Sequence, residues 1–137
     1  MIEYELIYRI LISVALGALI GLERQVTHRP AGLRTHMLVS LGACLFTIIA
    51  STSYSSYPSP ILAGILTGIG FIGAGSIIAA GGEIKGVTTA ASLWAVASVG
   101  FAVGSGNYVL GVVAASIVFL ILQLRKVEGR IERRKKP

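Results

Sequence analysis

The sequence predicts an all-α membrane protein, a bundle of five transmembrane helices with glycine-rich packing faces. Three observations carry this. Charged residues make up 13% of the 137 positions, about half of the roughly 25% usual in soluble domains. The mean hydropathy is +0.80, and the uncharged residues gather in runs of near-bilayer length. Seventeen glycines recur inside those runs at helical spacing. Together these exclude a disordered chain, a disulfide scaffold and an ordinary soluble enzyme, and the length allows one domain.

A helix needs about 20 apolar residues to cross the hydrocarbon layer, within a range of about 17–25. Five runs come close: Leu6–Leu22, His36–Ala50, Ile61–Ala80, Val87–Val103 and Tyr108–Leu124. They make residues 1–124 a transmembrane domain and 125–137 a basic tail. The first run follows Glu3 and Glu5 and ends at Glu23-Arg24, which suits a retained helix and not a cleaved signal peptide. Arg9 stands four residues after Glu5, the favourable order for a helical ion pair, and anchors the outer end of this helix. The second and fourth runs are short, so local bilayer thinning or burial among neighbours is expected there. Turn residues fill the breaks, with two prolines in Ser51–Pro60, then Gly81-Gly82, then Gly104–Asn107. No strand-like alternation competes. The alternative architecture is four spans plus a re-entrant segment.

In lipid, small residues mark the faces where helices touch. Gly17 and Gly21 are four apart in the first run, and Gly100 and Gly104 close the fourth. The third is the extreme, with Gly64, Gly68, Gly70, Gly73 and Gly75. It is expected at the bundle centre or a subunit interface, or partly unwound, with a symmetric homodimer as the oligomer to look for. Its match to a dinucleotide-binding fingerprint lacks the required strand and acidic residue. Cys44 lies in an apolar run and reads as packing. Trp94, in mid-span, is expected against another helix with an acceptor for its indole N–H.

Lys and Arg near helix ends favour the cytoplasmic side. With five spans, eleven of the twelve basic residues fall on one side, and the opposite loops carry no charge. This places the amino terminus outside and the carboxy terminus in the cytoplasm. The tail adds a net +5 beside the membrane exit, suited to anionic lipid or an acidic partner surface. Nucleic acid is not expected as a partner, for no folded reader is present.

The basic side carries the richest polar sequence. Glu23 stands at the wrong end of its helix dipole, so it is expected either to pair with Arg29 or Arg34 or to contribute to a cation site. Pro30 and Gly32 suggest a fixed turn, with Thr35 as a helix cap. Glu83 and Lys85 lie in the third loop. Thr88, Thr89 and Ser92 follow, able to bond helical carbonyls or to reach across helices. No nucleophile–base pair or metal cluster stands out, so an enzyme is not expected.

At these residues the chain resembles the MgtC/SapB family of bacterial inner-membrane proteins. The matching blocks are Gly17–Gln25, Arg29–Leu45, Thr67–Ile77 and Gly86–Trp94. The motif residues carried over are Glu23, Arg24, Arg29, Arg34, Thr35, His36, Thr88 and Thr89, with Gly68, Gly70, Gly73 and Gly75. The resemblance implies a multi-pass inner-membrane protein linked to growth in low magnesium and, in pathogens, to survival inside macrophages. It also implies inhibition of the F-type ATP synthase. Longer relatives carry a soluble cytoplasmic domain after the last helix. Here only Arg125–Pro137 follows, which suggests a transmembrane-only member. Two functions compete. A regulatory protein would act through helix contacts with membrane partners. A transporter of Mg²⁺ or another cation would need oxygen ligands, with Glu23 and Glu83 as the metal candidates. No cofactor other than Mg²⁺ is suggested.

Overall fold

The computed structural model describes residues 2–53, 59–80 and 82–124. The tail after Leu124 lies outside the described residues. Five helices occupy the five apolar runs: α1 (Ile2–Val26), α2 (Leu33–Ser53), α3 (Ser59–Gly75), α4 (Val87–Gly104) and α5 (Tyr108–Gln123). Three of them, α1, α2 and α4, are long and apolar enough to cross a membrane, and α3 and α5 are shorter apolar helices. The second run is therefore not a short element. Its helix continues through Leu33–Thr35 and Ser51–Ser53, polar additions that hydropathy alone leaves out.

Helix directions follow from contacts at the two ends. Near the start of α1, Arg9 Nη1 donates to the carbonyl of Gly104, at the end of α4, at 2.7 Å. Near the end of α1, Arg24 reaches Thr89 in the first turn of α4. These two helices are antiparallel. Glu23 and Gln123 line one pocket, so α1 and α5 end on the same side. The α1–α2 turn, the segment before α4 and the end of α5 thus gather at one end of the bundle. Among the described residues, Arg24, Arg29, Arg34 and Lys85 lie at that end and Arg9 at the other.

The centre belongs to α2. A Cβ added to Gly17 would stand 2.8 Å from His36 O and 2.9 Å from Ser40 Cβ, and one on Gly21 would stand 2.7 Å from Leu33 Cα. From the other side, a Cβ on Gly100 would overlap the carbonyl oxygen of Ser40, and one on Gly104 would lie 2.8 Å from Cys44 O. Small residues on α1 and α4 thus let both backbones close on α2, which is how helices gain contact when lipid offers no hydrophobic drive. The buried side chains Ile20, Val39, Ala43, Leu93, Val96 and Val99 fill the space between them. Cys44 is fully buried, as its packing role requires.

The third helix is peripheral and not central. It touches α4 and, less extensively, α2. Gly64, Gly68, Gly70 and Gly75 have nothing within 4 Å of where a Cβ would be. Only Gly73 approaches a neighbour, at 3.5 Å from Ala90 Cβ. The helix stops at Gly75, and the Ser76 hydroxyl donates back to Gly73 O at 2.7 Å. The end of the third run pairs with the loop that follows it in an antiparallel hairpin, β1 (Ile78–Ala80) and β2 (Glu83–Lys85), with Ile78 opposite Lys85. Gly82 takes φ +82° in its turn. Two adjacent glycines between short β-branched runs are a hairpin signal, and they override helix continuation here. Trp94 also departs from expectation. It is 51% exposed, because the outward side of a membrane helix is as apolar as its core side and accepts a large ring.

Candidate functional site

The end where α1 stops and α2 and α4 begin holds the densest buried polar cluster. Thr27 ends α1 by donating its hydroxyl to Glu23 O at 2.9 Å, and His28 turns the chain with φ +54°. The backbone N–H of Arg29 then bonds to Arg24 O at 3.0 Å. Gly32 lies over Gln25, whose Oε1 occupies the space a Cβ would need. This compact turn starts α2 at Leu33. Thr35 therefore sits inside the first turn of α2 and is not its cap.

One turn on, His36 is fully buried. Its Nδ1 donates to Gly32 O at 2.9 Å, and its Nε2 lies 3.1 Å from Ser92 Oγ. The Ser92 hydroxyl is also 2.8 Å from Thr89 O. Arg24, 3% exposed, donates from Nη2 to Thr89 Oγ1 at 2.9 Å. On the other side of the α1–α2 contact, Ser40 Oγ donates to Ser13 O at 2.8 Å. Side chains from α1, α2 and α4 therefore meet in one polar cluster. Arg24, His36 and Thr89 are the motif residues that the fold brings together, with Ser92 as the link.

The remaining motif residues lie apart. Arg34 and Thr88 are exposed, and Arg29 is half-buried. Glu83 lies in the hairpin, 2.9 Å from Lys85 Nζ. The expected pairing of Glu23 with Arg29 or Arg34 is not formed. Among the described residues no basic nitrogen lies within 4.0 Å of its carboxylate. The cause is rotational. The turn folds over the face of α1 that carries Gly17, Gly21 and Arg24. Glu23 lies about 100° around the helix, on the face toward α5, as the 3.6-residue repeat dictates. There it shares a pocket with Thr27, Phe119 and Gln123. Of these, Thr27 was findable as the residue four after Glu23, whereas nothing in the sequence pairs that face with Phe119 and Gln123.

As metal ligands, Glu23 and Glu83 do not meet. Mg²⁺ takes about six oxygens in near-octahedral array, and among the described residues no three of His, Cys, Asp and Glu come together. The mid-span hydroxyls are also committed. Thr47, Thr67, Ser98 and Ser116 each bond the carbonyl four residues back on their own helix.

The family model described as "MgtC family" matches residues 10–130. YhiD of Escherichia coli (strain K12), named as a candidate magnesium transporter, is 41% identical over 124 residues, covering 84% of this chain and 57% of its own. Protein MgtC of Salmonella typhimurium (strain LT2) is 41% identical over 133 residues, covering 96% and 57%. Protein MgtC of Brucella abortus (strain 2308) is 47% identical over 107 residues, covering 77% and 44%. The chain thus spans about half the length of the curated relatives it matches. No solved structure gives a significant match. With a family match running from α1 past α5 and relatives 41–47% identical over most of the chain, the chain belongs to the MgtC family.

Proposed function

We propose that this chain is a regulatory inner-membrane protein of adaptation to low magnesium and, in pathogens, of virulence. It acts by helix contact with another membrane protein, of which the F-type ATP synthase is the leading candidate. The amino terminus is outside, and the end bearing Arg24, Arg29, Arg34 and Lys85 is cytoplasmic, following the bias of basic residues toward that side. One observation supports the contact mechanism above others. The glycines of α1 and α4 are closed against α2, but Gly64, Gly68, Gly70 and Gly75 of α3 face open space. Beside them runs an apolar groove of about 510 Å³ between α2 and α3, walled by Leu38, Val39, Phe46, Ile65 and Ile69. An exposed small-residue face next to a groove suits a partner helix, and a second copy of this chain would use the same face.

Gly68→Leu tests this. A Cβ at Gly68 meets no atom of the described residues within 4 Å, and the groove beside it leaves room for the rest of the side chain, so insertion and folding are expected to persist while in-membrane crosslinking to the partner or to a second copy is lost. Unchanged crosslinking would defeat the reading. Transport of Mg²⁺ is the second reading, favoured by the name of the YhiD relative. Protein in liposomes would then move the ion, with reduced flux in Glu23→Gln. Flux no greater than that of empty vesicles removes it.

A further inference from the structure

Glu23 is 8% exposed, and its Oε2 is buried with no hydrogen-bond partner. A buried oxygen left in this state points to a group that the described residues do not supply. A bare carboxylate in such surroundings is costly unless an opposite charge is brought to it. The residue borders a pocket of about 360 Å³ between the C-terminal halves of α1 and α5.

The walls of this pocket define what fits. Two further side chains carry oxygen, Thr27 and Gln123. The hydroxyl hydrogen of Thr27 is already given to Glu23 O, so toward the pocket this group can only accept. Gln123 offers an amide oxygen. Leu19, Leu22, Val26 and Phe119 complete the lining with hydrocarbon. Leu22 and Val26 are 49% and 73% exposed, so the pocket opens beside an apolar outer surface.

We propose that this pocket binds a primary ammonium group carried on an apolar body, with Glu23 as its counter-ion. An –NH₃⁺ group has three donors and no acceptor, which matches the carboxylate, the Thr27 hydroxyl and the Gln123 amide oxygen. Phe119 adds an aromatic face of the kind cations favour. A quaternary ammonium has no N–H to give these acceptors. Mg²⁺ keeps several of its waters and demands an oxygen shell, which walls of leucine, valine and phenylalanine do not extend. The same ammonium chemistry occurs in the headgroup of an aminophospholipid and in a free alkylamine.

The test uses the full chain in mild detergent. Native mass spectrometry measures retained phosphatidylethanolamine against phosphatidylcholine, and thermal unfolding is followed with hexylamine or MgCl₂ alone. We expect phosphatidylethanolamine to be retained over phosphatidylcholine by at least about tenfold, the scale of a buried charge pair. The ratio falls to near one in Glu23→Gln and drops in Gln123→Leu. That result identifies the lipid as the source. Equal retention of the two lipids, with hexylamine raising the unfolding temperature of the wild type but not of Glu23→Gln, identifies a free amine. Stabilisation by MgCl₂ and not by any amine overturns the proposal, because the site is then one for an inorganic cation. The same response from wild type and Glu23→Gln to every probe also overturns it, because the carboxyl is then simply buried. Should Glu23→Gln fail to fold, Gln123→Leu, which keeps the carboxylate, decides by the same comparison.

Discussion

Arg24 of α1 and Thr89 of α4, 65 positions apart in the chain, share a buried hydrogen bond of 2.9 Å. Both residues are at least 97% buried, so water is not on hand to replace either partner. Thr89→Val keeps the shape and removes the acceptor. Buried hydrogen bonds to charged groups are worth about 1.5–3 kcal/mol, and interhelical ones within membranes run lower, at about 0.6–1.7 kcal/mol. We expect Thr89→Val to destabilise by about 1–2 kcal/mol in thermal or denaturant unfolding, and Thr89→Ser to recover most of it. Equal losses for Val and Ser would show that the methyl group, not the hydroxyl, is what matters.

His36 makes a prediction about a hydrogen position. Gly32 O can only accept, so the ring nitrogen 2.9 Å away must carry a hydrogen. Nδ1 is therefore protonated whether the ring is neutral or charged, and in the neutral ring Nε2 is the lone-pair nitrogen facing Ser92. Nitrogen NMR of histidine-labelled protein should report N–H character at Nδ1 of this residue. A neutral ring protonated only at Nε2 would contradict the geometry. Ser92→Ala removes the hydroxyl that donates to Thr89 O and lies 3.1 Å from Nε2, and should cost about 1 kcal/mol.

The parts of this architecture that were legible in the sequence are those set by spacing along one helix. Gly17 with Gly21, and Gly100 with Gly104, foretell close approach because residues four apart share a face. Glu5 and Arg9 pair for the same reason, at 2.6 Å. What spacing does not tell is which faces meet. Glu23 is only one residue from Arg24, yet it faces α5 and not the α2–α4 side. Glycine density misleads in the same way: α3 is the richest helix in glycine and lies at the edge. Trp94 shows the matching limit for hydropathy, because lipid and core favour the same side chains. The hairpin at Ile78–Lys85 was signalled by Gly81-Gly82, but a long apolar run hid it.

Arg9 serves two partners of unequal weight. Its Nη2 pairs with Glu5, whose side chain is 53% exposed, and its Nη1 donates to Gly104 O at 2.7 Å. Exposed i,i+4 ion pairs contribute about 0.3–0.5 kcal/mol, so Glu5→Gln should barely move the unfolding midpoint. Arg9→Met removes the charged donor from the last turn of α4 and should cost about 1–2 kcal/mol. If Glu5→Gln costs as much as Arg9→Met, the ion pair and not the link to α4 holds the start of α1.

Gly100 and Gly64 separate packing within the chain from contact beyond it. A methyl on Gly100 would overlap the Ser40 carbonyl, and neither backbone can yield without opening the α2–α4 interface. Overpacking of this kind costs about 1–3 kcal/mol, and we expect Gly100→Ala in the upper part of that range. A methyl on Gly64 meets nothing within 4 Å. Alanine is favoured over glycine in a helix by about 0.8–1.0 kcal/mol, so Gly64→Ala should leave the isolated chain as stable as before or more so. Thermal unfolding of both variants in detergent reads this directly. The reverse order would mean that α3, not α4, lies against the centre of the bundle. Any penalty for Gly64→Ala that arises only in native membranes would point to another molecule on the α3 face, since the described residues place no atom within 4 Å of that methyl.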